Sequence, residues 1–100
     1  MEIMALPPGF LARYLRYADR MKVYGPDLGM PHTRPMGDGL FELRLKAEEG
    51  IARVLYCTLI GKKIITLHQF IKKSDKTPPK ELALARRRMK EVKNANTRRV

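Results

Sequence analysis

Between Leu40 and Lys46 apolar and polar side chains alternate. Phe41, Leu43 and Leu45 fall on one side, and Glu42, Arg44 and Lys46 on the other. A period of two marks a half-buried strand. Ala47-Glu48-Glu49-Gly50 is a polar turn, after which Ile51 to Leu59 reads as a mostly apolar strand interrupted by Arg53. Gly61-Lys62-Lys63 makes the next tight connection, and Ile64 to Phe70 is a third strand rich in β-branched residues. Such short connections predict antiparallel neighbours.

Helical spacing flanks this sheet on both sides. Pro7-Pro8 suits a first helical turn, where a missing N–H costs nothing. Phe10, Leu11, Tyr14, Leu15, Ala18 and Met21 then recur at intervals of three and four. Arg13, Arg16, Arg20 and Lys22 take the remaining positions, the solvated face of such a helix. Tyr24-Gly25-Pro26 ends it, and Asp27 to Asp38 reads as a loop with a short extended piece around His32. Beyond the sheet, Thr77 suits an N-cap with Pro78 as the first helical residue. Leu82, Ala85, Met89 and Val92 form the apolar stripe of a second helix to about Lys93. Asn94 to Val100 reads as a frayed, flexible basic tail. The expected architecture is α+β: three or more antiparallel strands with an N-terminal and a C-terminal helix.

One hundred residues allow a single domain, 1–100, with one modest core. Composition adds a strong charge signal. The formal net charge is +11, with a pI of about 10.2. Residues 1–40 hold five basic and four acidic side chains, whereas residues 41–100 hold sixteen and six. An anionic partner is implied for the second part. The single cysteine, Cys57, excludes an internal disulfide framework and reads as a small buried hydrophobe. No apolar run approaches the ~20 residues that span a bilayer, and no secretory leader is visible, so a cytoplasmic protein with no membrane partner is expected.

Several chemistries have no support in the sequence: no glycine-rich phosphate loop, no cysteine–histidine metal spacing, no serine nucleophile elbow. No cofactor or metal is expected. What remains is a set of cations on the sheet and at its exit: Arg44, Lys46, Arg53, Lys72, Lys73 and Lys76, with His68 among them. Guanidinium and ammonium groups hold phosphate oxygens and stabilise charge that builds during phosphoryl transfer. RNA supplies its own nucleophile, the 2′-hydroxyl. A small basic protein therefore cleaves RNA if one group removes that proton and another protonates the leaving 5′-oxygen.

The runs GLFELRLKAEEGIARVLYC and ITLHQFIKKSDKTPPKELALARRRMKE resemble the RelE/ParE superfamily of type II toxins. The L-H-x-F-x-K-K segment, the following T-P and the alanine–arginine run of the last helix look closest to the HigB-like, phage-associated branch. The earlier Gly-Pro-Asp-Leu-Gly-Met-Pro-His segment fits that branch as well. The resemblance covers roughly Leu6 to Lys93. It implies a RelE-like fold, toxicity neutralised by a helix-turn-helix antitoxin, and cleavage of messenger RNA on the ribosome (an mRNA interferase).

Carried over residue by residue, the resemblance matches Arg44, Lys46, Arg53 and Lys73, with Lys72 beside it; Arg53 and Lys73 are expected in catalysis together with His68, and Arg44, Lys46, Lys72 and Lys76 on RNA. Arg86 and Arg87 are expected to contact ribosomal RNA or acidic antitoxin side chains. Glu42 stands where RelE has a lysine, and RelE's proposed tyrosine base has no counterpart between Lys73 and Leu82, which leaves His68 as the titratable substitute. Family members start with a strand and a longer helix before the point matching Leu6. Either that strand is missing here or the start codon lies upstream. Arg53 is either paired structurally or lines a cleft, and the cleft is preferred. Tyr56 belongs to the core rather than to a base-stacking surface. Three functions compete: a ribosome-dependent endoribonuclease, a ParE-like inhibitor of DNA gyrase, and a non-catalytic RNA- or ribosome-binding protein.

Overall fold

The computed structural model describes residues 6–47, 50–59, 63–72 and 77–98. Helix α1 (Pro8–Tyr24) leads into strands β1 (Thr33–Gly37), β2 (Leu40–Ala47), β3 (Gly50–Leu59) and β4 (Lys63–Lys72), and α2 (Pro79–Arg98) closes the chain. The strands form one sheet in the order β1-β2-β3-β4, every neighbour antiparallel. The sheet lies between the helices, α1 on one face and α2 on the other. This is the α+β arrangement the hydrophobic pattern implies.

Period-two alternation divides β2 between two cores. Leu43 and Leu45 join Ala52, Val54 and Tyr56 of β3 beneath Phe10 and Met21 of α1. On the other face Leu40, Leu55, Cys57 and Leu67 pack under Ala85 and Met89 of α2. Central β3 is therefore buried on both sides from Ala52 to Cys57, which is why its apolar run is nearly continuous. Cys57 is a buried core residue, and burial pushes its thiol pKa up, the nearby Lys93 partly offsetting this.

Strand β1 occupies much of the segment expected to be loop. Pro35 fits there because an edge strand has one side free of ladder partners. At the β1–β2 connection Asp38 and Gly39 both have positive φ, 55° and 85°. Two-residue hairpin turns require that pattern, and Asp-Gly is a strong sequence signal for it. In β4 the register slips opposite Leu55 and Tyr56, leaving Leu67 as an extra residue. Such a bulge re-aims side chains. Leu67 and His68 both engage α2 (Leu67 in its core, His68 with Glu81), whereas Thr66 meets Tyr14 of α1 at 3.2 Å.

Helix boundaries differ slightly from expectation. Pro8 does open α1, and Gly25 ends it with φ 93° and an N–H donated to Met21 O. At α2, however, the cap position falls on Pro78, whose carbonyl accepts from Leu82 N at 3.1 Å. Thr77 is not the cap; its hydroxyl donates to Glu42 Oε2. The helix also runs on to Arg98, past Lys93, so the expected frayed tail is helical over most of its length.

Candidate functional site

The α2 face of the sheet carries the polar residues of β2. Glu42 and Arg44 stand opposite Leu55 and Arg53 in register, so Glu42 and Arg53 are diagonal neighbours on one face. Arg53 Nη1 donates to Glu42 Oε1 at 2.9 Å, and both side chains are 1% exposed. With Thr77 on its other oxygen, Glu42 closes a small buried network. The preferred cleft position for Arg53 is thus corrected. A guanidinium so deep needs a carboxylate, and the neighbouring strand supplies one. Sequence reasoning had the signal in hand: an acid and a base on the same face of adjacent strands.

His68 lies at the junction of β4 with α2. Its Nε2 is bonded to the Glu81 carboxylate, Nδ1 is 3.4 Å from Arg88 Nη1, and its ring stacks on Phe70 at 5.6 Å. Arg88 Nη1 also donates to Leu67 O at 2.9 Å. The imidazole side chain is 16% exposed, with both nitrogens engaged. Across the sheet it stands two strands over and two residues along from Arg44, whose own row runs through Arg53 to Phe70, a separation of about 12 Å by strand geometry.

The arginine run of α2 divides by direction. Arg86 donates to Met36 O at 2.6 Å and Gly37 O at 3.3 Å and sits 3.6 Å from the Asp38 carboxylate, so it clasps the β1–β2 turn. Arg87 faces solvent. Lys72 is the last residue of β4, whereas Lys73 and Lys76 lie outside the described residues.

Among the sheet cations whose side chains are described, Arg44 and Lys46 lie nearer the surface, half-buried and exposed respectively. Strand β1 begins only opposite Leu43, so beyond that point β2 has no strand on its outer side. A hollow of about 470 Å³ opens there, lined by Arg44, Lys46 and Ile51 together with Arg13 and Tyr17 of α1 and the loop residues Pro31 and His32. Among the described residues that line it, none is acidic. Arg13 and His32 were not among the residues expected at a site. Their convergence depends on how α1 crosses the sheet, although the Arg13–Tyr17 spacing does place both on one helical face.

A second hollow of about 540 Å³ lies between α1 and the sheet, walled by Tyr14, Met21, Leu43 and Ile64 among others, with Lys22 the one cation among the described residues that line it. It is apart from the β2 cations. Tyr56 is a core residue, as the strand pattern implies; its hydroxyl donates to Pro26 O and its ring stacks on Phe41 at 5.5 Å. Burial, reinforced by Asp27, pushes that phenol's pKa well up, which removes it from acid–base chemistry near neutrality. Among the described residues no helix is long and apolar enough to cross a membrane.

One family model matches the chain over residues 1–90, the family described as phage derived protein Gp49-like (DUF891). No curated protein matches it.

Proposed function

The chain belongs to this phage-derived Gp49-like family, a RelE-type, toxin-like family of type II systems, and from that premise we propose that it is a messenger-RNA-cleaving toxin of the HigB-like kind. In this reading a helix-turn-helix antitoxin neutralises it, and the ribosome presents its substrate. The observation that carries the reading is the placement of Arg44 and Lys46, with Arg13, around a hollow at the end of β2 beyond β1.

The chemistry follows from what those cations do. The RNA 2′-oxygen attacks the adjacent phosphorus, forming the 2′-O–P bond while the P–O5′ bond breaks. The products are a 2′,3′-cyclic phosphate and a 5′-hydroxyl. Arg44 and Lys46 stabilise the extra negative charge on the phosphoryl oxygens. Water accepts the proton of the 2′-hydroxyl, and a second water protonates the leaving 5′-oxygen, so that charge and protons balance. His68 joins those transfers only by leaving Glu81 or Arg88, and lies two strands over and two residues along, about 12 Å, from Arg44. Arg53 acts through Glu42 as a support for β2 and β3.

Primer extension on messages from cells induced without antitoxin tests the assignment. Cuts within translated messages are expected from the wild type, and none from the Arg44→Ala/Lys46→Ala variant. Growth arrest with intact messages and gyrase-dependent DNA breaks would move the protein to the ParE class. Ribosome association without arrest or cuts would leave a non-catalytic binder.

A further inference from the structure

The hollow beside β2 has walls that a phosphate grip alone does not use. Tyr17 packs its ring 5.0 Å from His32 at an angle of 39°, and the Arg20 guanidinium lies 5.8 Å over the Tyr17 ring. The loop delivering His32 is tied down at several points. Asp27 Oδ1 accepts from Gly29 N at 3.0 Å and from Thr33 Oγ1 at 2.9 Å. Gly29 O accepts from His32 N at 3.1 Å and Thr33 N at 3.0 Å, and His32 O accepts from Arg44 N at 2.9 Å. The one acidic side chain of that loop is thereby spent on its own backbone and Thr33. An aromatic pair is held in place and, together with Arg13, Arg44 and Lys46, lines a space of about 470 Å³. Ligand sites commonly fall between roughly 300 and 1,000 Å³.

Cations tracking a backbone, interleaved with aromatic faces, are the equipment of single-stranded nucleic-acid binding. We infer that the hollow is a subsite for one nucleotide of single-stranded RNA, its phosphate held among Arg13, Arg44 and Lys46 and its base laid against the Tyr17–His32 wall. This rests on the reading of β2 as the RNA-contacting strand and extends it to α1 and the Asp27–His32 loop. The subsite selects for a base rather than for its identity, because every base offers a π-face.

Fluorescence anisotropy with a labelled short oligouridylate tests it, using the full chain off the ribosome across a salt series. Arg13→Ala should weaken binding severalfold and flatten the log–log salt slope by about 0.7, one phosphate contact on a single strand. His32→Ala should weaken binding about tenfold with the slope unchanged, since stacking releases no counterion. Lys90→Ala, which removes one exposed charge of α2, should bind as the wild type does. Equal effects from Arg13→Ala and Lys90→Ala would reduce the attraction to net charge and overturn the proposal. So would wild-type binding by His32→Ala, or inorganic phosphate displacing the probe as well as uridine monophosphate does. Arg13 is exposed, so its variant still decides the matter if His32→Ala melts early. Cleavage plays no part in this readout: a protein that cuts no message can still fill the subsite, and one that cuts can still fail here.

Discussion

Arg53 and Glu42 would each be costly to bury alone, and together they are the innermost charges among the described residues. Removing one leaves the other as an uncompensated buried ion, a loss of about 3–5 kcal/mol. Arg53→Ala should therefore lower the urea midpoint sharply, whereas the paired change Arg53→Met/Glu42→Leu should restore most of the stability. A single variant as stable as wild type would mean that water or another group compensates the remaining charge. The same logic applies to His68 on a smaller scale. His68→Gln weakens a half-buried junction with Glu81 and Arg88, costing about 1 kcal/mol. At equal folded fraction it should still cut within a few-fold of wild type. A fall on the order of 10²–10⁴ would instead place His68 in proton transfer.

Among the elements, α2 does more than cover a core. Arg86 reaches back to the carbonyls of Met36 and Gly37, so the β1–β2 turn is fastened to the helix by a side chain remote in sequence. Arg86→Ala should speed amide exchange across Thr33–Gly37 by roughly tenfold, with little change in the β3 core, as local opening becomes easier. Unchanged exchange in β1 would show that its ladder with β2 suffices. The elements whose evidence is local were legible in the sequence: the alternation of β2, the turn-bounded β3 and β4, and the helix opened by Pro8. Strand β1 was hidden because Pro35 and Gly37 read as loop, although Asp38-Gly39 was a usable hairpin signal. The Leu67 bulge was not legible, since it arises from how β4 registers against β3. Thr77 looked like a cap, but the buried Glu42 carboxylate claimed its hydroxyl.

For the whole molecule, most of the positive charge falls in residues 41–100, yet several of its arginines serve structure: Arg53 in the core, Arg86 on the turn, Arg88 on β4. The sequence could mark the cationic region but could not separate these from the cations that line open space. That separation needs the third dimension. It also brings Arg13 and His32 to the β2 cations from distant stretches of chain. The central claim is that Arg44 and Lys46 stabilise the scissile phosphate. Single-turnover cleavage on programmed ribosomes tests it most directly, comparing wild type with Arg44→Ala and Lys46→Ala, and using melting curves as the folding control. Each substitution should slow cutting on the order of 10²–10³ while the fold is retained. Wild-type rates from both well-folded variants would contradict the account.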